Sequence, residues 1–140
     1  MATTLVRCAV LTLALAGTTA DARPAVTVHG LRGENHSAST ELVAKELSGR
    51  LAHVPASCHL DATITRVAVA PSPHGTAVAV TVRIAVSDAR GILVSLIDGT
   101  ARAEGRTHHA QLEGDALTAA IAGLSIKIDS TLRGQTVAAR

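Results

Sequence analysis

The sequence predicts an α+β fold, a two-layer sandwich with two helices on one face of a small, mostly antiparallel sheet, in the order β-α-β-β-β-α. Three patterns carry the prediction. Val78, Val80, Val82, Ile84 and Val86 alternate with Ala79, Thr81, Arg83, Ala85 and Ser87, the period of a strand with one apolar face. Val43, Leu47, Leu51 and Val54 recur at helical spacing, and so do Leu117, Ile121, Leu124, Ile128 and Leu132. Two layers bury all three apolar surfaces at once.

The elements follow in chain order. Ala25 to Leu31 alternates enough for a short strand, with Pro24 at its start, where the missing N–H matters least. Arg32 to Ser39 is a polar loop, and Thr40 to Val54 is the first helix, with Ser37 or Ser39 as N-cap, Glu41 in the first turn and Pro55 as terminator. Leu60 to Val69 is the next strand. Its parity changes between Ile64 and Val67, which a bulge near Arg66 reconciles. The turns Pro71–Gly75 and Asp88–Gly91 connect it through the Val78–Val86 strand to a third run, Ile92 to Ala103, completing a meander. Gly105 to Gly114 reads as a polar connector, Asp115 as the cap of the last helix and Gly134 as its stop. Gly123 inside that helix costs about 1 kcal/mol relative to Ala or marks close packing.

Residues 1–22 read as an export signal. Arg7 and the amino terminus supply the charge, Cys8 to Ala16 is an uncharged apolar run, and Ala20 and Ala22 take the −3 and −1 positions of a cleavage site. The run is well short of the roughly twenty residues of a membrane span. Cys8 lies inside the run and no cysteine follows until Cys58, so the lipoprotein route is excluded. A soluble chain starting at Arg23 is expected, periplasmic or secreted, with residues 23–140 forming a single α+β domain.

Composition narrows the function. The net charge is +2, basic residues are scattered, and there is no Phe, Tyr or Trp, so neither a nucleic acid nor an anionic membrane is expected as partner. A core of Val, Leu, Ile and Ala alone is thin per residue and predicts modest stability or support from a second subunit. The Ala-rich, Lys-poor usage is similar to that of a high-GC bacterial genome. Cys58 is the only cysteine of the expected mature chain, which rules out an intramolecular disulfide, and it reads as a small buried hydrophobe ahead of an intermolecular crosslink or a reactive thiol. His59 next to it points to the opposite face of an extended chain, so the two form no catalytic pair.

The segment Leu60–Val67, a hairpin, then Val80–Gly91 ending in Asp88-Ala-Arg-Gly91, with a further strand after it, is similar to a pattern in bacterial envelope proteins. Val26-Thr-Val28 followed by Glu41–Leu51 is similar to their opening strand and helix. The group comprises penicillin-binding-protein activator lipoproteins, the N-terminal domain of the Tol-system β-propeller protein, and curli-secretion-type lipoproteins. The chain departs from it in lacking the Gly before the first meander strand and a lipidation Cys. The resemblance implies a module that docks onto other envelope proteins and carries no catalytic residues.

No catalytic, cofactor or metal site is expected. The seven histidines, His29, His36, His53, His59, His74, His108 and His109, show no metal-ligand spacing and read as solvated loop residues; only His108 and His109 offer a ligand pair. There is no nucleophile elbow, and Gly30-Leu-Arg-Gly33 is a turn, with neither the glycines nor the helix of a phosphate loop. Asp88 and Asp98 read as turn residues before Gly91 and Gly99, Asp61 as a strand residue. Asn35-His36-Ser37 is a glycosylation sequon, relevant only in a eukaryotic host. The expected function is a non-enzymatic envelope module that binds an envelope protein or a second copy of itself, through a sheet edge or an exposed helix face. The alternatives are a His-dependent metal-binding or hydrolytic protein and a carrier of a small apolar ligand.

Overall fold

The computed structural model describes residues 24–31, 37–51, 54 and 57–138. The export signal and its cleavage site, the sequon at Asn35 and His36, Gly33, His53 and Pro55 lie outside these residues. The elements are β1 (Ala25–His29), α1 (Ala38–Arg50), β2 (His59–Ser72), β3 (Gly75–Ser87), β4 (Leu93–Gly105) and α2 (His109–Ala138). The α+β order and the meander are as the sequence predicts.

The four strands lie in the sheet in chain order. β2, β3 and β4 form the antiparallel meander, and β1 pairs parallel to β2 because α1 carries the chain back between them. The bulge is present: Ile64 faces Val82 and Arg66 faces Thr81, leaving Thr65 unpaired. It returns Val67 and Val69 to the face of Leu60, Ala62 and Ile64. One face of the sheet then joins Val43 and Leu47 of α1, Leu51 at its C-cap, and Leu117, Ile121, Leu124 and Ile128 of α2 in a single core. α2 lies across β3 and β4, while α1 packs on β1 and on α2. Each fully buried Leu, Ile or Val contributes about 1.5–3 kcal/mol of apolar transfer, and no aromatic group supplements them.

Element ends differ from the expectation for identifiable reasons. α1 starts at Ala38, where Ser37 Oγ accepts from the Thr40 N–H and the Thr40 hydroxyl oxygen accepts from the Ser37 N–H. It ends at Arg50, short of Val54. Val54 is still buried, because a turn closed by its N–H on the Leu51 carbonyl preserves the three-residue spacing that a helix would have shown. β1 stops at His29, two residues early. β4 runs from Leu93 to Gly105 with a register shift opposite Val86 and Ser87. The β2–β3 connection contracts to Pro73 and His74, with Gly75 at φ 123°.

α2 departs most. It begins at His109, with the His108 carbonyl accepting from the Gln111 and Leu112 N–H groups, so Asp115 is an exposed residue inside the helix and not its cap. Burial of Leu112 and Ala116 extends the apolar stripe N-terminally past Gly114. Gly134 does not end the helix either: the positive-φ glycines among the described residues are Gly75 and Gly91, and without that conformation a glycine is no stop signal.

Candidate docking surface

The second face of the sheet carries no helix. Its residues are Thr27 and His29 on β1, His59, Asp61 and Thr63 on β2, Thr81, Arg83 and Ala85 on β3, and Leu96, Asp98, Thr100, Arg102 and Glu104 on β4. Several of its polar side chains pair across the strands. Arg83 donates twice to Asp98, from Nε at 2.7 Å and from an Nη at 3.1 Å. The Arg83 hydrogen bond holds the Asp98 carboxyl below its ordinary pKa, and the same bond raises that of Arg83. Thr81 and Thr100 hydroxyls lie 3.3 Å apart, and Ser72 Oγ donates to Glu104 at 2.6 Å, which lowers the Glu104 pKa. Asp98 is therefore a mid-strand ion-pair partner and not the turn residue expected. The Gly99 beside it, read as a turn signal, is there because α2 comes too close for a side chain.

The histidines are dispersed. His29 Nε2 lies 3.1 Å from Asp61 Oδ1, which makes no hydrogen bond of proper geometry, and His59 lies 3.4 Å from the Thr27 hydroxyl. His74 sits in the β2–β3 turn, His108 and His109 at the start of α2, and His109 is 3.9 Å from Glu113. Among the described residues no three His, Cys, Asp or Glu side chains converge as metal ligands. Cys58 is half-buried against the core, next to and not facing His59. Asp88 is a turn residue as expected, its Oδ1 accepting from the Arg90 and Ile92 N–H groups at 2.9 and 3.0 Å.

Two sheet edges are open among the described residues. β1 pairs only with His59–Thr63, so β2 continues from Ile64 to Ser72 with a bare edge. A shallow cleft of about 260 Å³ opens beside it, lined by Leu31, Ile64, Val67, Ser39 and Glu113. Ser39 Oγ donates to Glu113 at 2.8 Å there, tying the first turns of α1 and α2 together. Val69, on the core side, is 50% exposed. The outer edge of β4 is the other, with Ile92, Leu93 and Leu96 exposed at its start. The sequence predicts a sheet edge or a helix face as the binding element without saying which edge. Parity identifies a strand's faces, but which strand ends the sheet depends on pairing. No described helix is long and apolar enough to cross a membrane.

No family model and no curated protein matches the chain. Solved structures with a similar arrangement include the hypothetical protein CT253 from Chlamydia trachomatis, at 12% identity and TM-score 0.46, with 74% of this chain and 96% of that chain covered. A minor lipoprotein from Acinetobacter baumannii aligns at 14% identity and TM-score 0.46, covering 79% and 93% of the two chains. Lipoprotein GNA1162 from Neisseria meningitidis aligns at 17% and TM-score 0.34, covering 67% and 65%. At these identities and TM-scores no residue role transfers to this chain.

Proposed function

We propose that this chain is an exported, non-enzymatic module of the bacterial envelope that binds another protein by accepting an extended segment on the free edge of β2. The carrying observation is that β2 outruns β1: from Ile64 to Ser72 it has no strand partner on one side among the described residues. A bare edge offers N–H and C=O groups that an added strand can use. Alternate side chains of that strand would enter the cleft at Leu31, Ile64 and Val67 and cover Val69. The open sheet face has polar groups that pair among themselves, an arrangement suited to contact and not to bond making. Residues 1–22 supply export, and residues 23–140 act as one domain.

The test is recovery of partners from envelope extracts on the immobilised protein, with Val69→Lys as control. A charge on this edge should abolish capture while leaving the circular dichroism spectrum unchanged. Recovery of no specific protein, or equal recovery with Val69→Lys, would defeat the reading. Intact mass from the native host tests the export half: the expected product starts at Arg23, and a cytosolic product starting at Met1 would overturn it.

A further inference from the structure

We propose that a second copy of this chain docks antiparallel on the outer edge of β4, with the two-fold axis passing beside Thr100, so that the two sheets become one. A closed two-fold contact requires a self-complementary edge. In the register centred on Thr100, Asp98 of each copy faces Arg102 of the other and Thr100 faces its own symmetry mate. All three lie on the open face of β4, and all are exposed. A register centred on Asp98 or on Arg102 would instead set like charges against each other, which disfavours pairing. The partner strand also covers part of Leu96, now 55% exposed.

α2 agrees independently with this axis. It straddles β3 and β4, so two copies related by the axis stand about two strand spacings apart, roughly 10 Å, the separation of packed helices. Such an approach needs small residues on the flank beyond β4. That flank is marked by Lys127, whose Nζ donates to the backbone carbonyl of Asp98 at 2.8 Å. One and two turns earlier on the same flank stand Gly123 and Ala119, both exposed. The height is right as well: the Ala120 carbonyl lies 3.0 Å from where a Gly99 side chain would begin, so the level of Thr100 falls between Ala119 and Gly123. A Cβ added at Gly123 would meet nothing within 4 Å among the described residues beyond its own helix backbone. A glycine in mid-helix is costly. A neighbouring helix at the axis gives it a reason. Lys127 does not bar the pairing, because a carbonyl oxygen has two lone pairs and can also accept a ladder hydrogen bond.

Light scattering coupled to gel filtration, over a range of protein concentrations, decides the point. The chain should show twice its monomer mass. Thr100→Lys puts two ammonium groups at the axis, and Gly123→Leu places bulk between the helices; each should halve the mass with the circular dichroism spectrum unchanged. A wild-type chain that is monomeric at every concentration overturns the proposal, as does a dimer that survives both substitutions together. Neither result touches capture on the β2 edge, which lies at the other side of the sheet.

Discussion

Leu124 occupies the space that a side chain on Gly99 would need. Its Cδ1 lies 2.8 Å from the position of a Gly99 Cβ, and the Ala120 carbonyl is 3.0 Å away. The glycine lets α2 settle directly on the edge strand, which fixes both the depth of the helix and the burial of Ile97 beneath it. Gly99→Ala should cost about 1–3 kcal/mol of overpacking, because backbone and a buried leucine would both have to shift. Urea denaturation checks this. Gly49→Ala, in a helix where an added Cβ meets nothing, should stabilise by about 0.5–1 kcal/mol; equal effects at the two sites would refute the close-approach account.

The Arg83–Asp98 pair predicts an acid dependence. The folded-state pKa of Asp98 lies below its unfolded value because Arg83 hydrogen-bonds the carboxylate. Its contribution is therefore complete above the unfolded carboxylate range and is lost as pH falls through the folded value, below about pH 4. Glu104, lowered by the Ser72 hydroxyl, acts in the same direction. Asp98→Asn should flatten the acid limb of the urea midpoint between pH 7 and pH 3, more visibly at low salt since the pair is exposed. An unaltered acid limb would show that the pair contributes nothing.

The β3–β4 turn depends on Asp88 and Gly91. One carboxylate oxygen accepts two backbone N–H groups, and Gly91 sits at φ 79°. Asp88→Ala should cost about 1–2 kcal/mol and Gly91→Ala about 1 kcal/mol, for lost hydrogen bonds and for a left-handed conformation respectively. Asp88→Asn, which keeps an accepting oxygen, should recover most of the first loss in thermal melts.

Ser37 caps α1 while Thr40, buried at 2% exposure, closes the reciprocal bond. Ser37→Ala should destabilise by about 1 kcal/mol, and Ser37→Asp should restore it, since aspartate is an equal cap and favours the positive helix end. Loss of amide protection confined to the first turns of α1, seen by hydrogen exchange, would distinguish a capping effect from global loosening.

Much of the architecture is local chemistry and was legible in residues alone. The two-residue period of Val78 to Val86, the helical stripe of Leu117 to Ile128 and the parity break between Ile64 and Val67 specify a strand, a helix and a bulge wherever the chain is placed. Glycines misled where their role depends on neighbours. Gly99 and Gly114 look like turns in sequence, yet the first admits Leu124 and the second sits in α2 against Leu42. Val54 likewise keeps helical spacing without being helical, because burial selects the side chain and not the backbone path.

The sequence by itself determined the element order and the apolar face of each element, since these follow from periodicity and composition. Only the tertiary structure decided which strands stand at the sheet's edges, that Asp98 pairs with Arg83, and that β2 runs on past β1. Those are properties of pairing between distant segments, and the energy that selects them, burial of one sheet face beneath α1 and α2, exists only once the chain has closed on itself.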